Sequence, residues 1–216
     1  MTNAFRTHLI HALPWAALAL ACVVIFALGW SDVLRFDRPV IASGAWWQLF
    51  SAHLAHLSWP HLWMNLAALV LTAYVSAQSH SLGHFFTVWI LLLLGTGAGL
   101  YWFAPDLIRY VGLSGALHGA LIVYISDSPF YDRRIRALVV MVVLAKVGWE
   151  QSLWFDDMAN ADSIGGRTEG RAHLYGALTG VLIVAMTYCW SQMIRLKKQV
   201  EKTKQIRHRR PENTPD

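Results

Sequence analysis

Long apolar runs alternate with short polar ones along the whole chain. Six apolar stretches stand out, at roughly 9–29, 56–77, 84–103, 114–126, 135–153 and 172–193. A helix crossing the hydrocarbon core of a bilayer needs about 20 mostly apolar residues. In lipid only helices and closed barrels satisfy their own backbone polar groups, so runs of this length predict helices. The pattern therefore predicts an all-α, polytopic membrane protein, a bundle of six transmembrane helices. No convincing small-residue cleavage site follows the first stretch, which reads as an uncleaved helix rather than a signal peptide. The fourth stretch departs from the rule. Ser114 to Asp127 spans about 14 residues, or about 20 Å of helix, against a hydrocarbon core of about 30 Å. That helix is predicted to begin inside the membrane, fed by the non-helical stretch Val111-Gly112-Leu113-Ser114-Gly115. Irregular backbone at that depth is tolerated only where protein buries it or water lines it.

Composition agrees with lipid as solvent: 56% of residues are hydrophobic and 14% charged, where soluble domains carry about 25% charged residues. The length suits one domain, residues 1–194, followed by a basic tail at 195–216. The net charge of +5 is concentrated between Arg195 and Arg210, directly after the last apolar run. A basic segment there is an orientation signal or a contact for anionic lipid, and it argues against nucleic acid as a partner. With six spans, one face holds Arg6, Arg133, Arg134, Arg136 and the tail. The other holds Arg35, Arg38, Arg109, Arg167 and Arg171, offset by acids that include Asp156, Asp157, Asp162 and Glu169. The positive-inside rule predicts cytoplasmic termini and an active face on the opposite side. Cys22 and Cys189 each lie in an apolar run and read as small hydrophobes rather than a disulfide or a metal pair.

A serine at the start of a sunken helix is placed for chemistry once a base can take its proton. His173, near the outer end of the sixth stretch, matches the depth of Ser114. Gly176 and Gly180 share its helical face, while Gly115 and Gly119 form a small-residue pair beside Ser114. Small residues let membrane helices approach closely, as a Ser114–His173 hydrogen bond requires. No carboxylate has an evident place behind His173, which predicts a Ser–His dyad rather than a triad. The competing explanation is a simple packing motif, since small-residue clusters are common helix-packing devices.

Further polar groups cluster on the second stretch. His61 and Asn65 are four apart on one face, and with the backbone N–H of Ser114 they could meet a developing oxyanion. Pro60 suits a first helical turn with Ser58 as a possible cap. Zinc ligation by His53, His56 and His61 is the rival explanation, but no Glu completes an H-E-x-x-H pattern, and neither metal nor cofactor is expected. Headgroup-level polarity suffices for His53, His80 and His84. On the fifth stretch Lys146 and Glu150 are four apart among apolar residues, where charges are functional candidates by default. They are candidates for a substrate-gate or active-site role, with mutual pairing near the outer boundary as the alternative. The segment 156–170, with Gly165, Gly166 and Gly170, has the composition of a lid.

Taken together, His56, His61-x-x-x-Asn65, Gly112-x-Ser114-Gly115 and Ala172-His173-x-x-Gly176 resemble the rhomboid intramembrane serine proteases over roughly residues 40 to 190. The resemblance implies a Ser114–His173 dyad, an oxyanion site lined by His61 and Asn65, and cleavage of peptide bonds within or beside a substrate's transmembrane segment. Two positions depart from the family pattern. Trp47-Gln48 stands where Trp-Arg is usual, and His118 stands four residues after the serine, where a Tyr usually stacks on the catalytic histidine. The run from Gly112 to Gly119 resembles the rhombosortase branch. That branch implies a bacterial inner-membrane enzyme opening to the periplasm, and substrates ending in a Gly-Gly motif, a transmembrane helix and a basic tail. His118 is expected to pack on His173 and fix its ring. The alternatives are a general rhomboid protease with other substrates and a non-catalytic relative that binds transmembrane helices. Whether water or an amine would resolve an acyl-enzyme stays open, as does the oligomeric state.

Overall fold

The computed structural model describes residues 3–76 and 81–208; His80 lies outside the described residues. In chain order the elements are α1 (Asn3–Ala27), α2 (Ser31–Leu34), β1 (Phe36–Asp37), α3 (Arg38–Ala42), α4 (Gln48–Ser51), a 3₁₀ turn (Ala52–Leu54), α5 (Trp59–Val75), α6 (Leu82–Phe103), β2 (Arg109–Tyr110), α7 (Ser114–Asp127), α8 (Arg133–Glu150), α9 (Ala161–Ile164) and α10 (Gly170–His208). Among the described residues the fold is thus all-α apart from two short strands, which pair antiparallel with Phe36 opposite Tyr110. Six helices are long, and each overlaps one predicted stretch. Two of them, Leu82–Phe103 and Gly170–Lys202, are long and apolar enough to cross a membrane by themselves.

Local chemistry explains the boundaries. α5 begins at Trp59, three residues after the predicted 56, because Ser58 has extended backbone and its hydroxyl accepts from the His61 N–H at 3.2 Å. Pro60 then occupies the first turn, where its missing N–H costs nothing. Asp132 caps α8 by accepting from the Arg134 and Ile135 amides at 2.7 and 3.0 Å. α10 runs 39 residues without interruption, so the basic residues from Arg195 to Arg207 ride on the same helix as His173; Arg209 and Arg210 lie outside the described residues. No helix end separates residues 194 and 195.

α7 is the central strut, packed against α5, α6, α8 and most extensively α10. Nine of its residues are buried, among them Gly115, Ala116, Gly119 and Ala120. Its contact with α10 is backbone on backbone. A Cβ on Gly115 would fall 2.7 Å from the Ala172 carbonyl oxygen, and one on Gly180 would fall 2.6 Å from that of Gly119. A Cβ on Gly176 would collide with the Gly115 carbonyl, more closely still. Beneath lipid the gain from such contact is van der Waals packing, since apolar burial alone drives nothing there.

The segment between α1 and α5 is tied to the end of α6. Arg38 donates to the carbonyls of Leu100, Tyr101, Ala104 and Leu107 at 2.7–2.9 Å, meeting the unpaired groups at that helix's end. Gln48, in the position where the resemblance would favour Arg, is buried. Its side chain accepts from the Asp37 N–H at 3.1 Å and donates to the Val33 carbonyl at 3.3 Å. The substitution therefore keeps a polar tie within the same segment. Cys22 is buried, Cys189 is exposed, and both are free thiols.

Candidate active site

Ser114 is the first residue of α7, half-buried at the floor of a cavity of about 650 Å³. Around it the cavity is lined by His56, His61, Asn65, His118, Lys146 and His173. His173 reaches it from the first turn of α10, drawn close by the glycine contact between the two helices. Its Nε2 lies 2.9 Å from the Ser114 Oγ. His173 itself is buried, with 6% of its surface exposed.

The other nitrogen of His173 corrects an expectation. No carboxylate has an evident place behind this ring in the sequence, yet the Glu150 Oε2 lies 2.8 Å from its Nδ1. Glu150 is the last residue of α8, and its side chain is only 5% exposed. Its carboxylate is turned toward His173. The reason is the junction of α8 with α10. The Gln151 amide donates to the carbonyls of Val147 and Gly170 at 3.1 and 3.0 Å. A Cβ on Gly170 would fall 3.1 Å from the Glu150 carbonyl oxygen. The end of α8 is thereby held three residues from His173. Lys146, one turn earlier, pairs with Glu150: its Nζ donates to Oε1 at 2.6 Å and lies 2.9 Å from the His118 Nε2.

His118 makes contact with both α10 and α8. Its ring stacks on that of His173, with centroids 4.3 Å apart and planes 27° from parallel, and it joins a neighbouring helix through Lys146. Its Nδ1 lies 2.7 Å from the Ser114 carbonyl oxygen. His118, Glu150 and His173 bring donor atoms within 4.8 Å of one another, the separation of a metal site. The Lys146 ammonium already occupies the acceptors on His118 and Glu150, so the arrangement suits an ion-pair network better than a cation.

On the opposite wall, His61 faces Gly112. The Leu57 N–H points at the His61 Nδ1 at 3.4 Å, a long contact that favours the proton on Nε2. Gly112 has φ +126°, and a Cβ there would fall 2.9 Å from that Nε2. Glycine thus supplies both the backbone conformation and the space between His61 and Ser114. The Asn65 side chain is buried below and donates to the His61 carbonyl at 3.0 Å. His61, the second amide hydrogen of Asn65 and the Ser114 backbone are the groups available to a developing negative charge.

His53 also differs from expectation. It does not sit at headgroup level: it is fully buried, with Nδ1 3.4 Å from the Gly112 carbonyl oxygen. Burial pushes its pKa down from 6.5 to about 4, so the ring is neutral near pH 7. Tyr110 donates to the same carbonyl at 2.6 Å, and the Gly112 N–H donates to Ala52 at 3.1 Å. These ties hold the turn that feeds α7. His84, in contrast, sits in the first turn of α6, where Ser81 accepts from its N–H at 3.1 Å. The segment 156–170 is partly helical and anchored, since the Ser58 hydroxyl donates to the Ile164 carbonyl at 2.9 Å. Ile164, Arg167, Thr168 and Glu169 line one side of the cavity.

A hydrogen-bonded serine and histidine, seated at the start of a short central helix in an all-α bundle, is an arrangement for nucleophilic acyl transfer. The Rhomboid domain model matches residues 43–190, more than half of the chain, and the protein belongs to the rhomboid family. It is also similar to the Rhomboid protease GluP of Bacillus subtilis (strain 168), with 23% identity over 166 residues. That alignment takes in 69% of this chain and 32% of the relative, so the chain spans about a third of the protein it matches.

Proposed function

We propose that this protein is an intramembrane serine protease, with Ser114 as nucleophile and His173 as general base. The observation that carries the proposal is the 2.9 Å contact between the Ser114 Oγ and the His173 Nε2 at the floor of the cavity. The Ser114 proton passes to Nε2 as Oγ attacks the scissile carbonyl. The oxyanion forms beside His61, Asn65 and the Ser114 N–H, and His173 then protonates the departing amine. Water attacks the acyl-enzyme by the same path in reverse. His118 stacks on His173 and fixes the plane of its ring.

The six long helices span a bacterial inner membrane in this proposal, with both termini and the basic end of α10 cytoplasmic and the cavity open to the periplasm. The substrates are membrane proteins cut within or beside a transmembrane segment. The Gly112–Gly119 run favours the rhombosortase branch, and hence a C-terminal signal of Gly-Gly, transmembrane helix and basic tail. Reconstitution in liposomes with such a substrate tests this, comparing wild type with Ser114→Ala and locating the cut by mass spectrometry. Cleavage near the Gly-Gly that vanishes in the variant is expected. Cleavage of a generic transmembrane substrate alone would discard the branch. Cleavage of neither, by folded protein inert to serine-directed inhibitors, would favour a non-catalytic helix binder.

A further inference from the structure

Resting on the assignment of Ser114 and His173, we infer that Glu150 is a positioning residue that turns the pair into a Ser–His–Glu triad, and that Lys146 locks both Glu150 and His118 in place.

The hydrogen-bond inventory leads there. To accept the Ser114 proton, His173 must keep a lone pair on Nε2 and carry its proton on Nδ1. The group facing Nδ1 at 2.8 Å is the carboxylate of Glu150, which can only accept. It selects the productive tautomer and stabilises the imidazolium once Nε2 takes the proton. A buried carboxylate is costly unless paired, and Lys146 supplies the pairing at 2.6 Å.

The same ammonium sets the tautomer of the stacked ring. Lys146 donates to the His118 Nε2 at 2.9 Å, which places the His118 proton on Nδ1, facing the Ser114 carbonyl oxygen at 2.7 Å. His118 is thereby held neutral, and a neutral ring can lie on His173 without opposing the charge that develops there. The groups facing His173 are Ser114 and His118 from α7, Glu150 and Lys146 from α8, and His61 from α5, across the cavity. Among the described residues, Glu150 is the carboxylate that pairs with His173, 2.8 Å from its Nδ1.

The tyrosine usual at position 118 has no ring nitrogen to accept from a lysine. The His118, Lys146 and Glu150 contacts therefore form one connected unit, in which each side chain satisfies the next. A carboxylate here without its lysine would keep only the neutral His173 as partner, and the lysine without the carboxylate would leave its charge uncompensated beside the site.

The test compares Glu150→Gln, Glu150→Asp and Lys146→Met in liposomes, alongside labelling of Ser114 by a fluorophosphonate. In Glu150→Gln the amide oxygen goes to Lys146 and its NH₂ faces Nδ1, which selects the wrong tautomer. The expected result is a kcat about 10²–10⁴-fold lower, KM within about twofold, labelling slowed in proportion, and partial recovery in Glu150→Asp. Lys146→Met is expected to lose about tenfold in kcat. Wild-type rates and labelling in folded Glu150→Gln would overturn the inference while leaving the protease assignment intact. Absent labelling of wild type would instead overturn that assignment. Should the variants fail to fold, ¹⁵N-histidine spectra of wild type decide: a proton on the His173 Nδ1 is expected, and one on Nε2 refutes the triad.

Discussion

α7 and α8 both carry site residues, but they are held in opposite ways. α7 is buried along most of its length and meets α10 through glycine backbone on both sides. Of its apolar residues α8 buries only Val143 and Val147, and it exposes long side chains such as Leu138, Met141 and Val142. The nucleophile and its base thus sit where no side chain can yield. The carboxylate behind them arrives on a helix attached at a few points. The contact that forms the site is set by shape, while the one that tunes it is set by a small polar junction.

The largest effect should come from breaking the first arrangement. Gly176→Val sets a branched side chain against the Gly115 carbonyl, and backbone on both sides leaves nowhere to move. Overpacking of this kind costs about 3 kcal/mol or more. Loss of cleavage together with a collapse of thermal stability in detergent is expected. An active, stable Gly176→Val protein would show that α7 and α10 are not in backbone contact.

A smaller effect should follow at the junction of the second arrangement. Gln151→Ala removes the contact with the Gly170 carbonyl that fastens α8 to the start of α10, together with the Val147 contact that orients the side chain for it. The stability loss should be about 1 kcal/mol, while kcat falls roughly fivefold because misplacing a positioning group by a fraction of an ångström weakens the chemistry. Parallel melting curves and cleavage rates separate the two. A fall in stability with an unchanged kcat would place the positioning of Glu150 elsewhere.

The same contrast explains how much was legible in the sequence. Ser114, His173 and the facing glycines announce themselves, because a short helix and paired small residues are written directly as lengths and spacings. His61 and Asn65 share a face by simple helical geometry. Glu150 was legible as a functional candidate, but not its contact with His173, because that distance depends on the turn after α8 and the packing of Gly170, neither of which has a periodic signal. Its trace was a charge in an apolar run near the outer boundary, the depth already assigned to His173. His53 and Tyr110 were opaque for a similar reason: both act on the Gly112 carbonyl across 59 and 2 residues, through a turn with no repeat pattern. The helix starts shifted by a few residues wherever a cap such as Ser58 or Asp132 decided the boundary.

The smallest effect is expected at Gly148, and it is informative for being small. Gly148 lies on α8 between Val147 and Trp149, yet a Cβ there meets nothing within 4 Å. It differs in this from Gly115, Gly119, Gly176 and Gly180, each of which is pressed against backbone. Gly148→Ala should therefore fold normally, keep wild-type kcat and KM, and gain about 0.5–1 kcal/mol from the better helix former. The glycine is then an ordinary weak point on a lipid-facing helix. A variant that melts normally but shows a raised KM would mean that the open face of α8 receives the substrate's transmembrane segment. The loose attachment of α8 would then serve substrate entry, while its last residue serves the histidine. Cleavage of peptides without a transmembrane segment would remain unaffected in that case, which separates docking from chemistry on the same helix.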